Sequence, residues 1–292
     1  MVNLKEKVVL VCMKLRKVVQ MVLIIICLGV MLFSLWKLWG IFSEYRESRN
    51  AYEDLAEKYV KVEVVESELK KPGVLGGDKN TFGEKGTDSD GMDETMEELA
   101  EEPMITVDFD ALLNACPDVV GWIYSPGMPI NYPIVQSGDN DYYLHRLLDC
   151  SYNKGGTLFI DYYNQPDFSD WNTFLYGHNM HDNSMFGTLD NYRQKGYYEE
   201  HPVMYLLTPE KNYVIELVAG CTIPADSTVY TLLNTVEERD ALVYELSRSS
   251  SFKADVELGE SDKLIILSTC VYDYDNARYV VVGALKEMPE EE

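Results

Sequence analysis

Several residue patterns that mark large protein classes are missing from this sequence. It has four histidines and six cysteines in 292 residues, and no CxxC pair. It contains no metal-ligand cluster, Gly-rich phosphate loop or GxSxG segment. These absences argue against a disulfide scaffold, a phosphate-loop enzyme and a serine hydrolase of the nucleophile-elbow type. We therefore expect no metal and no cofactor.

Positive charge is also scarce. The chain has 25 Lys and Arg against 49 Asp and Glu, which gives a formal net charge of -24. A nucleic-acid binder needs a basic face, so we expect no nucleic-acid partner. Much of the acidic surplus lies in a linker and in the C-terminal tail. This balance suits a soluble domain held near a surface.

One apolar segment near the N-terminus is long enough to cross a bilayer. No charged residue interrupts Val18 to Trp36, and its length matches a hydrocarbon core of ~30 Å. Lys14, Arg16 and Lys17 precede it, which predicts a cytoplasmic N-terminus. The alternative is a cleaved signal peptide, but the segment exceeds the usual ~7–15 apolar residues, and no clear cleavage site follows. We expect a single-pass protein of the cell membrane.

Composition divides the chain into five predicted segments. A basic cytoplasmic N-terminus (1–17) precedes the transmembrane anchor (18–39). An extracellular helix and an acidic flexible linker follow (40–103). Much of the linker is Gly, Asp, Glu and Ser, and its apolar residues are too sparse to offset the entropy of ordering. One folded domain (104–288) and an acidic tail (289–292) complete the chain.

Short apolar or alternating runs separated by turn residues fill the folded domain. They read INYPIVQ, GGTLFIDY, NTFLYGH, VMYLLT, YVIELVAGCTI, KLIILSTC and RYVVVGALK. Such runs are typical of β-strands. The patterns predict short helices around Phe109 to Leu113, over Asp139–Leu148 and over Met185–Tyr192, and a longer amphipathic helix over Val236–Ser249. The fold class is therefore mainly β with some helix, in a mixed-topology barrel.

A cysteine and an arginine lie at adjoining strand ends. The apolar run LIILSTC ends at Cys270, and Arg278 opens the next apolar run eight residues later. Two adjacent antiparallel strands with this connection bring both residues to one end of a sheet. A cysteine attacks as its thiolate, and a thiol with an ordinary pKa of about 8.5 needs an imidazole or another positive neighbour.

One of the four histidines has a setting that suits catalysis. His178 lies in FLYGHNM, directly after an apolar strand, and a strand end is a rigid support for a reactive group. His181 falls in a predicted loop, His145 in a helical surface pattern, and His201 before Pro202 in a polar turn. The HNMH segment is too short and too isolated for a zinc site. His178 is therefore the candidate partner of the cysteine.

These motifs resemble those of the sortase family. LSTC at Leu267–Cys270, followed by Arg278, is similar to the family's TLxTC-then-Arg signature, with Ile266 in place of the first Thr. YGHNM at Tyr176–Met180 resembles the segment that carries the catalytic histidine. Further segments resemble class B, namely GWI at Gly121, INYPIVQSGDNDYYL at Ile130, GTLFID at Gly156, MFGTL at Met185 and the helix at Val236–Ser249.

The resemblance implies a fold and a reaction. The fold would be a closed eight-stranded sortase-type β-barrel with N-terminal helices and a long helix inserted before the catalytic strand. Cys270 would attack the carbonyl of a Thr in the C-terminal sorting signal of a secreted protein. His178 would protonate the departing amine, and Arg278 would hold the substrate and stabilise the oxyanion. The enzyme would be a membrane-anchored cysteine transpeptidase of a Gram-positive bacterium.

The resemblance also implies a substrate groove. Its predicted substrate-binding residues are Ser268, Thr269, Asn140, Leu144 and Tyr230. Class B enzymes often carry an acid two places after the cysteine, but this chain has Tyr272 there, with Asp273 next.

Several interpretations of the function stay open from sequence, among them a general cysteine protease in which water resolves the thioester. The acceptor amine belongs to a peptidoglycan precursor in the leading one, and to a pilin lysine in the second. The third is a catalytically idle, membrane-tethered module that binds peptides.

Overall fold

The computed structural model describes residues 4–63 and 104–289. Most of the predicted acidic linker (64–103) and the end of the predicted tail (290–292) lie outside the described residues.

The two described parts of the chain meet in a small sheet. Helix α1 (Leu4–Tyr59) leads into strand β1 (Val60–Glu63). This strand pairs antiparallel with β2 (Met104–Val107). The backbone N–H of Asp108 also donates to the carbonyl of Tyr59 at 2.9 Å. The end of α1 is thereby fixed to the start of the second described part.

The remaining strands form one closed barrel. They are β3 (Val119–Tyr124), β4 (Asn131–Val135), β5 (Leu158–Ile160), β6 (Asn172–Tyr176), β7 (Val203–Leu207), β8 (Asn212–Pro224), β9 (Lys263–Cys270) and β10 (Ala277–Glu287). Their order around the barrel is β10-β8-β7-β3-β4-β5-β6-β9. The pairs β4–β5 and β6–β9 are parallel, and the others are antiparallel. The predicted closed eight-stranded barrel is confirmed, and closure leaves none of these strands as an open edge.

The helices differ in how well the patterns predicted them. They are α2 (Phe109–Ala115), α3 (Tyr197–Glu200) and α4 (Val236–Ser249), with 3₁₀ turns at Tyr143–His145, Leu189–Arg193 and Thr228–Tyr230. Helix α4 has the predicted bounds, and the side chain of its N-cap Thr235 accepts from the N–H of Glu238 at 3.2 Å. Such a cap satisfies a backbone donor of the helix's first turn.

Two predicted short helices are wrong. Within Asp139–Leu148 only a 3₁₀ turn forms, because the carbonyls of Tyr143 and His145 accept from the distant N–H groups of Thr157 and Asn153, both at 3.0 Å, and not from N–H groups of the same segment. Within Met185–Tyr192 the chain also makes a 3₁₀ turn, and Met185 has a φ of 53° that no right-handed helix allows.

Helix α4 is tied to the turn that precedes β9. Arg239 is 1% exposed, and its guanidinium donates to the carbonyls of Gly259 and Asp262 at 2.8 and 2.6 Å. Leu246, on the same helix, is buried against the outside of the barrel. The long helix therefore braces the start of the strand that ends at Cys270.

The last turns of α1 belong to the folded domain. Ser48, Tyr52 and Tyr59 are buried, although the sequence placed them in an extracellular helix outside that domain. The Tyr52 hydroxyl donates to the carbonyl of Gly156 and lies 2.8 Å from the hydroxyl of Thr157. These buried positions are spaced among charged residues, so the apolar pattern that would have marked the contact is weak.

The first part of α1 has the character of a membrane span. Apolar side chains between Val18 and Phe42 are 48% to 70% exposed. Within residues 4–63 and 104–289, one helix is long and apolar enough to cross a membrane, and it is this one.

Candidate active site

Strand register brings Cys270 and Arg278 together. Their Cα atoms are direct partners in the β9–β10 ladder, as the eight-residue spacing predicts. Strand β9 is buried from Leu264 to Thr269, and Cys270 is its first partly exposed residue at this end. The thiol therefore emerges at the rim of the barrel, on a strand that packing holds rigid.

The parallel pairing of β6 with β9 brings His178 to the same rim. Tyr176 is the Cα partner of Ser268, so His178 follows β6 where Cys270 ends β9. Gly177 separates the strand from the histidine, and a Cβ there would overlap the side chains of Leu158 and Phe186. Only glycine fits so close an approach.

A cleft of about 420 Å³ opens between these strand ends. It is lined by Asn140, Leu144, Phe159, Tyr176, Gly177, His178, Ala225, Tyr230, Ser268, Cys270 and Arg278. Every residue predicted for the site is among them except Thr269. The volume lies in the range of sites that enclose a small ligand or a short peptide segment.

Thr269 points away from the cleft. It is buried, and its hydroxyl donates to the carbonyl of Gly177 at 2.8 Å. Successive side chains of a strand alternate between its two faces, so Ser268 and Cys270 reach the cleft and Thr269 does not. The contact of Thr269 is with the segment that carries His178.

The imidazole of His178 is held by a backbone carbonyl and by a second histidine. Its Nε2 lies 2.8 Å from the carbonyl oxygen of Leu144. A carbonyl only accepts, so Nε2 carries the hydrogen and Nδ1 is the nitrogen whose protonation can change. The ring stacks on His145, with centroids 5.4 Å apart and planes 16° from parallel.

Burial governs the charge of His178. It lowers the pKa of the imidazole below its ordinary value, the Leu144 hydrogen bond opposes the shift, and a charge on His145 would lower the pKa further. The ordinary value is about 6.5. The imidazole is therefore mainly neutral at neutral pH, ready to accept a proton from a thiol.

Two tyrosines line the cleft together with Arg278. The Tyr230 and Tyr176 rings lie 6.2 Å apart, and the Tyr230 hydroxyl is 2.6 Å from that of Ser268. Burial raises the pKa of both tyrosines, and the positive charge of Arg278 opposes that shift in each. Both hydroxyls therefore stay protonated and uncharged beside the arginine.

Asn140 is fixed from two sides. Its amide nitrogen donates to Asp161 at 2.8 Å, and its amide oxygen accepts from the N–H of Tyr162 at 3.1 Å. The same carboxylate oxygen of Asp161 accepts from the Tyr176 hydroxyl at 2.9 Å. One carboxylate thus orients two residues of the cleft wall.

Sequence reasoning missed several of these contacts. It assigned no role to Asp161 or Tyr176, although each lies within a run predicted to be a strand. It placed His145 on a helix surface, because no sequence pattern indicates a stack on His178. The sequence could have predicted that Thr269 points to the opposite face from Ser268 and Cys270, because side chains alternate along a strand.

Asp273, the acidic residue closest after Cys270, binds Arg193. Both carboxylate oxygens of Asp273 accept from Arg193, at 2.9 and 2.8 Å, and Tyr272 is 80% exposed. In the part of the chain that the structure describes, no group of three or more His, Cys, Asp or Glu side chains is placed to hold a metal.

Comparison with known proteins agrees with this architecture. The sortase-domain family model matches residues 123–286. Sortase B of Listeria monocytogenes is 35% identical over 171 residues, which cover 58% of this chain and 70% of that protein. Sortase B of Staphylococcus aureus is 29% identical over 180 residues, which cover 61% and 74%.

Solved structures share the fold. A Bacillus anthracis protein similar to sortase B has a TM-score of 0.58 at 32% identity, covering 63% of this chain and 85% of that one. A Staphylococcus aureus sortase B–substrate complex has a TM-score of 0.58 at 28% identity, with coverages of 62% and 85%. Sortase B of Clostridium perfringens has a TM-score of 0.57 at 30% identity, with coverages of 61% and 99%.

A family match over more than half of the chain, together with this closed barrel, shows that the chain belongs to the sortase family. It is therefore a cysteine transpeptidase. Its sequence relatives are sortase B proteins and its structural neighbour is similar to sortase B, so within the family it is a class B sortase.

Proposed function

We propose that this sortase is held in the cell membrane by α1, cleaves the C-terminal sorting signal of a secreted protein after a Thr, and transfers the protein to an amine of the cell wall. The observation that supports the chemistry is that Cys270, His178 and Arg278 line one cleft. The apolar exposed helix supports the anchor.

In the first half of the reaction, Cys270 transfers its proton to His178 and its sulfur attacks the Thr carbonyl. Arg278 donates hydrogen bonds to the oxygen on which negative charge develops. The carbon–nitrogen bond then breaks, and the departing amine takes a proton from His178. A thioester joins Cys270 to the Thr end of the secreted protein.

In the second half, an acceptor amine attacks the thioester carbonyl. The new amide bond forms as the carbon–sulfur bond breaks. The amine gives up a proton through His178, and the cysteine returns to its starting state. Water in place of the amine would give hydrolysis, so the acceptor must compete with water for the thioester.

The cleft walls suit an extended peptide. Asn140 and Ser268 offer polar groups, while Leu144 and Tyr230 offer apolar surface beside them. We assign these four residues to binding of the sorting signal. Thr269 acts on the site only through its hydrogen bond to Gly177.

The proposed topology places the cleft outside the cell. Lys14, Arg16 and Lys17 lie on the N-terminal side of the apolar stretch, and such charge remains in the cytoplasm. The catalytic domain then lies on the outer face, where secreted proteins and peptidoglycan precursors meet it.

Mass spectrometry of the acyl-enzyme tests the chemistry. The full-length chain in detergent micelles is mixed with a panel of sorting-signal peptides. We expect a peptide fragment that ends in Thr, attached to Cys270. Cys270→Ala should form no adduct, whereas Cys150→Ala, which removes an exposed thiol outside the cleft, should form it normally. An adduct that survives Cys270→Ala would contradict the proposal.

Competition between amines tests the acceptor. A peptidoglycan cross-bridge peptide, diaminopimelate and a lysine peptide that mimics a pilin are added to the preformed acyl-enzyme. We expect a cell-wall amine to give the transfer product. Transfer to the pilin lysine peptide alone would replace the proposal with pilus polymerisation. Binding of peptides without any adduct would indicate an idle binding module.

A further inference from the structure

The segment that carries His178 stays bonded to β9 beyond the end of β6. The backbone N–H of Gly177 donates to the carbonyl of Ser268 at 3.1 Å. The hydroxyl of Thr269 donates back to the carbonyl of Gly177 at 2.8 Å. The parallel ladder is thus extended by one backbone and one side-chain hydrogen bond.

Asn179 adds a third connection, and it reaches the reactive residue itself. Its side-chain nitrogen donates to the backbone carbonyl of Cys270 at 2.8 Å. The side chain is partly buried. Asn179 directly follows His178 in the chain, so a single hydrogen bond links the neighbour of the imidazole to the backbone of the thiol.

The other side of the His178 segment is also fixed. The backbone carbonyl of His178 accepts from the N–H of Phe186 at 3.0 Å, and Asn179 pairs with Met185 in an isolated β-bridge. These bonds hold the segment to the following loop. In the described part of the chain, the Asn179 amide is the side-chain group that joins it to the Cys270 carbonyl.

We propose that Asn179 is a positioning residue that sets the distance and orientation of His178 relative to Cys270. The inference rests on the proposed roles of those two residues in catalysis. Proton transfer between them needs the two groups within hydrogen-bond reach, and a displacement of about 1 Å can cost ~10²-fold in rate. An asparagine suits the place because its amide donates to a carbonyl, whereas a carboxylate cannot.

The test uses two variants of the full-length enzyme in detergent micelles. Asn179→Ala removes the donor, and Asn179→Asp keeps the size but replaces the donor with acceptors. With a fluorogenic sorting-signal peptide, we expect kcat to fall by about 10- to 100-fold in both, with KM changed by less than about 2-fold. Asn212→Asp is the matched control, because it makes the same change at an exposed residue at the opposite end of the barrel.

A second readout does not depend on the substrate. The alkylation rate of Cys270 by iodoacetamide is followed against pH in the wild type, Asn179→Ala and His178→Ala. We expect the Asn179→Ala profile to move from the wild-type profile toward that of His178→Ala. A purely structural role would change thermal stability and leave this profile in place.

The outcomes separate the two proposals. Wild-type kcat and an unchanged alkylation profile in Asn179→Ala would overturn the positioning role. The positioning role would also be overturned if kcat fell in both variants only in proportion to the loss of folded protein. If the wild type forms no acyl-enzyme with any peptide, the proposed function fails instead, and the alkylation profiles still decide the role of Asn179.

Discussion

At the scale of single residues, the stack of two imidazoles is the least expected feature of the site. His145 and His178 lie with their rings nearly parallel and 5.4 Å apart, and the two side chains differ in their surroundings, since the carbonyl of Leu144 binds His178. A positive charge on one ring disfavours a positive charge on the other. His145 therefore helps to determine when His178 can hold a second proton.

Replacing His145 should change the titration of His178. In His145→Gln we expect the pKa of His178 to rise, because the neighbouring charge is gone, but to stay below about 6.5 because burial, the larger cause, remains. Titration of the imidazole by NMR measures the shift. His201→Gln, where the ring stacks on Tyr197 instead, should leave it in place. A fall in the His178 pKa in His145→Gln would contradict the argument.

Asp273 illustrates how an acid close to a catalytic position can have another task. Its two oxygens are occupied by Arg193, so it is not available to exchange protons with a substrate. We expect Asp273→Asn to change kcat/KM by less than about 3-fold, since neither Asp273 nor Arg193 lines the cleft. Peptide cleavage assays check this. A loss comparable to that of Cys270→Ala would show that the acid takes part in the reaction.

At the scale of elements, the final turns of α1 act as a part of the barrel. The Tyr52 hydroxyl bonds to the Gly156 carbonyl, and the N–H of the next residue, Thr157, donates to the carbonyl of Tyr143 at 3.0 Å. Leu144, which follows, supplies the carbonyl that binds His178. A short series of contacts therefore runs from this helix to the candidate catalytic histidine.

Removing the Tyr52 hydroxyl should lower stability. Tyr52 is 2% exposed, and Tyr52→Phe leaves the Gly156 carbonyl with no hydroxyl donor. We expect the free energy of unfolding to fall by about 1–3 kcal/mol, measured by urea unfolding of the full-length protein. Tyr244→Phe removes a hydroxyl from an exposed tyrosine of α4 and is the control. Equal stabilities for the two variants would contradict the role of this bond.

The elements also show what a sequence can and cannot predict. The strand LIILSTC was predictable because a short apolar run rich in β-branched residues is typical of a buried strand, and α4 because its periodicity is that of an amphipathic helix. The helix predicted over Asp139–Leu148 was wrong because carbonyls of this segment accept from distant backbone N–H groups, and the helix predicted over Met185–Tyr192 was wrong because Met185 is left-handed. The packing of α1 was missed because its buried side chains meet partners far away in the sequence, such as Tyr132 of β4 against Tyr52.

At the scale of the whole molecule, the fold class was predictable and the strand order was not. The spacing of Cys270 and Arg278 implied an antiparallel pair, and the ladder has that register. The parallel pairing of β6 with β9, which brings His178 to the same end, joins segments about 90 residues apart and leaves no local pattern. The catalytic roles of these three residues remain predictions.

The continuous helix α1, in the membrane topology proposed above, gives a prediction for the anchored enzyme. A flexible Gly- and Ser-rich insertion after Gly40 should leave cleavage of a soluble peptide unchanged, since the cleft is untouched. Transfer from a substrate that is itself anchored in the same vesicle should fall several-fold, because a flexible linker no longer fixes the position of the domain. The measurement compares the two substrates in lipid vesicles.

A helical insertion is the matched comparison. An insertion of seven alanine-rich residues adds about two helical turns, so the same side of the helix still faces the domain. It moves the domain about 10 Å further from the membrane, so it should also reduce transfer from the anchored substrate. Wild-type transfer in both insertion variants would show that the position of the domain does not matter.

If α1 spans the bilayer as proposed, this continuous helix sets the height of the catalytic domain above the membrane. Trp39 and Ser48 are separated by about 14 Å at 1.5 Å per residue, and Ser48 already lies against Gly155, in the loop before β5. The enzyme and a substrate protein anchored in the same membrane then meet only within a thin layer beside the lipid headgroups. Such confinement raises the effective concentration of each partner. A groove with low affinity for the sorting signal would then be sufficient to bind it.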